Sequence, residues 1–128
     1  MGFVLVHVGV QAVLEHVVAE EDTALAMGTG DVPVISTPRL LALCEQATIK
    51  AIAHELSEDQ TSVGSRVEVA HLAPVAVGSV IRATATLERT EGRRLVFGVS
   101  VSDACGLVAA GKMTRVVVDR ARFTAKAR

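Results

Sequence analysis

The stretch Ser36–Glu58 (STPRLLALCEQATIKAIAHELSE) constrains the fold more than any other part of the chain. Its apolar residues recur at three- and four-residue steps: Leu40, Leu43, Cys44, Ala47, Ala51 and, at one edge, His54. That period is the buried stripe of an amphipathic helix. Thr37 can cap it, and Pro38 then sits at the first helical position, where a missing N–H costs nothing. A helix from Thr37 to Leu56 runs roughly 30 Å at 1.5 Å per residue, a rod that only a broad sheet can cover. Glu45 is out of place on it, near Leu41, Ile49 and Ile52. Either desolvation there disfavours its charge until a partner compensates, or it is a flank glutamate that reaches water.

A chain of 128 residues holds one domain with a real core. That domain is expected to span 1–128, with residues 1–7 and 121–128 frayed. Half the residues are hydrophobic and the three aromatic ones are all Phe, so many small branched side chains must fill the interior, as in a sheet packed on a helix. The net charge of −1 gives no sign of a nucleic-acid partner. Cys44 on the helix stripe and Cys105 in a turn read as free thiols of a reducing compartment. The N-terminal MGFVLVHVGV lacks the charged region of a signal peptide, and no apolar run approaches the ~20 residues of a membrane span. A soluble, cytoplasmic protein is the expectation.

Val8–Val18 alternates as a half-buried strand, with Val8, Val10, Ala12, Leu14, His16 and Val18 on one face. Glu20–Met27 suits a single helical turn, and GTGDVP (28–33) is a loop. Beyond the helix, Ser65–Ala73 turns Val67, Val69, His71 and Ala73 to one face. Ser79–Arg89 turns Ile81, Ala83, Ala85 and Leu87 inward, Glu91-Gly92 is a hairpin signal, and Leu95, Phe97, Val99 and Val101 form the next inner row. Leu107–Asp119 is the last strand, followed by a basic tail. One strand, a long helix and four strands joined by tight turns predict an α+β hotdog fold, a five-stranded antiparallel sheet wrapped around one long central helix.

His71 lies on an apolar row, where a histidine is either a satisfied core residue or a catalytic base. Glu45, on the helix that this sheet packs against, favours the second: a carboxylate and an imidazole in a dry cleft offset each other's desolvation, and the acid orients the ring. Thr37 offers a hydroxyl at a helix start, where N–H groups favour negative charge, or it is simply a cap. Gly64 marks a bulge or a close backbone approach to a ligand. Arg115 is a ligand-facing cation or an edge charge. His7, His16 and His54 have no evident acidic partner and read as structural or surface residues. No CxxC, HExxH, GxGxxG, Walker or G-x-S-x-G pattern occurs, and an Asp with a His five positions later is absent.

These residues resemble the fluoroacetyl-CoA thioesterase-like family of hotdog proteins. The likeness runs from about Val8 through STPRLLALCEQA, VGSRVEVAHLAPVAVGS, EGRRLVFGVSV and GKMTRVVV to RFTAKAR. It sets the family's catalytic residues on Thr37, Glu45 and His71, and its active-site glycine and arginine on Gly64 and Arg115. It implies an acyl-CoA thioesterase, a homodimer or higher oligomer with sites at or near the subunit interface. Neither a metal nor a separate cofactor is implied, CoA being part of the substrate. One departure is plain: Glu20–Ser36, the counterpart of that family's aromatic-rich lid, contains no aromatic residue. Selection of a fluorinated acyl group is therefore not expected, and a small or medium acyl-CoA thioester is. The alternative is a non-catalytic hotdog module that binds acyl-CoA or only dimerises; it would not require the Thr37–Glu45–His71 set.

Overall fold

In a computed structural model that describes residues 6–128, the chain runs β1 (Gln11–Val17), a 3-10 turn (Glu20–Asp22), α1 (Ala24–Met27), α2 (Thr37–Ala51), β2 (Gln60–His71), β3 (Val80–Glu91), β4 (Arg94–Asp103), β5 (Gly106–Asp119) and α3 (Arg120–Ala125). All five strands pair antiparallel in one sheet ordered β1-β3-β4-β5-β2, and α2 packs on it. The expected hotdog arrangement is present.

The helix stripe behaves as its period requires. Leu40, Leu43, Cys44 and Ala47 are buried against Ile81, Ala83, Ala85 and Leu87 of β3 and Leu95, Phe97, Val99 and Val101 of β4. Burying each large aliphatic side chain contributes about 1.5–3 kcal/mol. Burial also pushes the Cys44 thiol up to about 11, so it behaves as a small core hydrophobe. Cys105 is exposed and free.

Four expectations are corrected. First, α2 stops at Ala51, about 22 Å from its start. No glycine ends it. Ile52, Ala53 and Glu55 instead donate to Ile49, Lys50 and Ile52, the i→i+3 pattern of a tightening last turn, and His54 is exposed on that turn. Second, Ser36 rather than Thr37 is the cap: its Oγ accepts from Arg39 N at 3.1 Å. Thr37 and Pro38 are thus the first and second helical residues, and the Thr37 hydroxyl is left for other use.

Third, the last four strands are not a simple meander. β2 pairs with β5 at one edge, and β3 lies beside β1. Residues 72–79 must therefore cross roughly 14 Å, three strand spacings. This crossover is anchored from both sides. Leu72 N and Ala73 N donate to Val108 O, and Val75 O accepts from Ile35 N just before α2. Fourth, the tail forms α3, capped by the Asp119 carboxylate on Arg122 N at 2.9 Å, and Val6 is buried in the core; residues 1–5 lie outside the described residues.

The β3–β4 hairpin turns at Gly92, whose φ of +61° is one that L side chains rarely adopt. β1 is shorter than its alternating pattern, because the chain turns at Val8–Gly9. On β2 the register slips between Gly64 and Arg66. The extra residue changes which alternate positions face inward: Ser62 and Gly64 before it, Val67, Val69 and His71 after it.

Candidate active site

α2 starts beside the end of β2 and finishes beside its beginning, so the groove between them carries two polar stations. The first holds Thr37 and His71. Thr37 Oγ1 lies 2.8 Å from His71 Nδ1, and His71 Nε2 lies 3.0 Å from the carbonyl oxygen of Ala73. A carbonyl only accepts, so Nε2 carries the hydrogen and a neutral ring must accept at Nδ1. The Thr37 hydroxyl then donates to Nδ1. A hydroxyl held against an imidazole lone pair is the arrangement of a nucleophile and its base. The ring is oriented by a backbone carbonyl, which the doubly bonded Val108 oxygen holds in place through Leu72 and Ala73.

The second station holds Glu45, Gly64, Ser62 and Arg115. Arg115 is not an edge charge. It points inward from β5, 5 % exposed, and donates from Nε to Ser62 Oγ (2.8 Å), from Nη2 to Ser62 O (3.0 Å) and from Nη1 to Glu45 Oε2 (3.1 Å). Burial pushes the guanidinium below its ordinary value, and the Glu45 carboxylate opposes that shift. Gly64 sits opposite Arg115, and a Cβ there would collide with the Glu45 carboxylate. Gly64 thus stands at a bulge, and what approaches its backbone in the single chain is this chain's own acid. The Glu45 side chain is 45 % exposed. Of the two readings of Glu45, the flank glutamate that reaches water describes the single chain.

Glu45 does not meet His71 within one chain; its partner is Arg115. Thr37 and Glu45 are eight residues apart on α2, about 12 Å along its axis. Two of the other histidines do have acids. His7 Nδ1 lies 2.8 Å from Glu55 Oε1, and His16 Nε2 lies 2.7 Å from Asp22 Oδ2.

Asp22 is the residue that sequence reasoning missed. It is buried, with Ala19 N donating to Oδ2 at 2.8 Å and Arg39 Nε to Oδ1 at 2.9 Å. Burial alone raises its pKa. The Ala19 N–H, His16 and Arg39 outweigh burial and hold the group at about 2. Its own carbonyl accepts from Ser36 N. Ser36 and Arg39, on either side of Thr37, are therefore both fixed to Asp22, which sets the hydroxyl toward His71. The signal was the S-T-P start with an acid upstream, but the pairing depends on a 3-10 turn that no period announces.

The helix start offers little for an oxyanion. Pro38 has no N–H and Arg39 N is taken by the cap, which leaves the Thr37 N–H. Among the described residues no group of three His, Cys, Asp or Glu is placed to hold a metal ion, and no helix is long and apolar enough to cross a membrane.

Comparison with known proteins agrees with this architecture. Residues 18–121 match the family model described as fluoroacetyl-CoA-specific thioesterase. The fluoroacetyl-CoA thioesterase of Streptantibioticus cattleyicolor is 34 % identical over 95 residues, covering 74 % of this chain and 68 % of that protein. The solved structure of a fluoroacetyl-CoA thioesterase superimposes with a TM-score of 0.88 at 29 % identity, covering 94 % of each chain. A thioesterase superfamily member from Thermus thermophilus superimposes at 0.86 with 34 % identity, covering 93 % of this chain and 88 % of the other.

Proposed function

The chain belongs to the fluoroacetyl-CoA-specific thioesterase family, and from that premise we propose that it is a thioester hydrolase acting on a small or medium acyl-CoA through Thr37, His71 and Glu45. The observation that carries the reading is the 2.8 Å contact between Thr37 Oγ1 and His71 Nδ1, with Nε2 tied to a carbonyl. Thr37 Oγ1 attacks the thioester carbonyl carbon as His71 Nδ1 takes its proton. The resulting oxyanion is met by the Thr37 N–H. The C–S bond breaks, the imidazolium returns the proton to the departing thiolate, and water releases the acid from the acyl-threonine by the same base. General base catalysis of this kind is worth about 10²–10⁴-fold.

Glu45 joins this site from a second subunit. β2 is an edge strand with an open ladder, and the inner surface beside it is left uncovered: Val67 is 45 % and Ile49 49 % exposed. A two-fold axis near Val67 would pair β2 with its copy antiparallel. Gly64 and His71 lie on opposite sides of that point, so the pairing brings the partner subunit's Glu45 toward His71. Arg115 and Gly64 hold that carboxylate in place, and its Oε1 stays free to face the imidazolium.

Among the described residues the segment before α2 offers the acyl group no aromatic wall. The segment before α2 presents Leu25, Met27 and Val32, all exposed, with Met27 Sδ accepting from Ser36 Oγ at 2.8 Å beside the nucleophile. Flexible aliphatic side chains accommodate several short acyl groups rather than one fluorinated one. The test is thiol release across an acyl-CoA panel. Turnover on short and medium chains, lost in His71→Ala, supports the reading. Equal rates for wild type and His71→Ala on every chain overturn it and leave a binding module.

A further inference from the structure

Beyond Glu45 the groove continues into a cleft of about 480 Å³ at the far end of α2. Ser62 and Arg115 begin it, and Ile49, Ile52 and Leu56 form an apolar wall. Arg120 lines both this cleft and the adjoining hollow beside α3, so it stands where the cleft opens. Its place is fixed by backbone: Arg120 N donates to Asp59 O at 2.9 Å, and Nη2 reaches Gln60 O at 3.4 Å. Among the described residues its guanidinium forms no ion pair. Among the described residues Glu58 is the one acid lining the cleft, and Asp59 and Asp119 line the adjoining hollow, whereas Arg120, Arg122, Lys126 and Arg128 follow one another on the tail with no acid among them.

We propose that this cleft takes the pantetheine arm of the acyl-CoA and that Arg120 holds its phosphates. The inference rests on the hydrolase reading, in which the thioester at Thr37 of one subunit lies beside the partner subunit's Glu45, so the arm enters the cleft that continues from that Glu45. Length and chemistry both fit. From Arg115 to Asp119 the strand advances four residues, roughly 13 Å. The arm between the sulfur and the first phosphate is about four extended residues long, roughly 14 Å. An arm of alternating methylene and amide groups suits a cleft with one apolar wall and a polar strand edge opposite. An unpaired guanidinium at the opening suits a phosphate, which it can grip with two N–H groups.

The experiment is calorimetric titration of the full chain with coenzyme A and with pantetheine, which lacks the phosphates. Arg120→Ala is expected to weaken coenzyme A binding about tenfold, to flatten its salt dependence, and to leave pantetheine unchanged. Arg120→Lys should lie between. Unchanged coenzyme A affinity in Arg120→Ala, equal weakening for pantetheine, or no coenzyme A binding by wild type would overturn the proposal. Thiol release from acetyl-CoA and acetyl-pantetheine, measured alongside, keeps the two readings apart. Hydrolysis of both with no selective effect of Arg120 defeats this inference alone. Selective loss of coenzyme A binding without hydrolysis of either defeats the hydrolase reading alone.

Discussion

The Glu45 carboxylate occupies the space that a side chain at Gly64 would need. An acid on the helix and a missing side chain on the edge strand are one fitted pair, and the buried Arg115 guanidinium holds them in register. Gly64→Ala should therefore displace Glu45 from Arg115. Overpacking of this kind costs about 1–3 kcal/mol. The expected outcome is a lower thermal midpoint and at least a tenfold fall in kcat/KM, with partial recovery in Gly64→Ala/Glu45→Asp, whose carboxylate is one methylene shorter. An alanine variant with wild-type melting and turnover would show that the two residues are not coupled.

The separation of the two polar stations predicts how variant subunits complement. If each site joins Thr37 and His71 of one subunit to the partner subunit's Glu45, a heterodimer of a Glu45→Gln chain with a His71→Ala chain keeps one intact site. It should show about half the wild-type rate per dimer. A doubly substituted chain paired with a wild-type chain should be nearly inactive. Sites contained in single chains give the reverse order. Light scattering on the same samples should report a dimer or larger assembly.

Asp22 predicts an acid-dependent stability. Its folded pKa of about 2 lies below the ordinary 3.8. The ionised form is thus favoured in the folded state, and the stabilisation is complete above the ordinary value. It is lost as pH falls from about 4 through about 2, and amounts to roughly 2 kcal/mol. Chemical denaturation should show Asp22→Asn less stable than wild type at neutral pH by a similar amount, with the difference shrinking below pH 4. A constant difference down to pH 2 would remove the ion pairing as its cause.

Much of this fold was legible because burial has a period. Leu40, Leu43, Cys44 and Ala47 recur at helical steps, and Ile81 to Leu87 and Leu95 to Val101 alternate; all are buried as their spacing requires. What escaped is set by features with no period. The helical spacing runs on from Ala51 to His54, through a segment whose hydrogen bonds have already tightened into turns. One inserted residue on β2 reversed its inward positions, which brought Ser62 and Gly64 to face Arg115. The strand order was hidden because Leu72–Ser79 has the composition of a turn but spans the sheet. Thr37 and His71 lie on facing elements, the start of α2 and the end of β2. Their direct contact depends on the cap falling on Ser36, one residue earlier than the Thr-Pro pair suggests.

The rate of the Thr37 variants tests the central claim most directly. Single-turnover thiol release from a short acyl-CoA should fall about 10²–10⁴-fold in Thr37→Ala. Thr37→Ser, which keeps a hydroxyl for His71 Nδ1, should retain most of the rate. An alanine variant that releases thiol as fast as wild type would mean that the hydroxyl held 2.8 Å from the imidazole takes no part in the reaction.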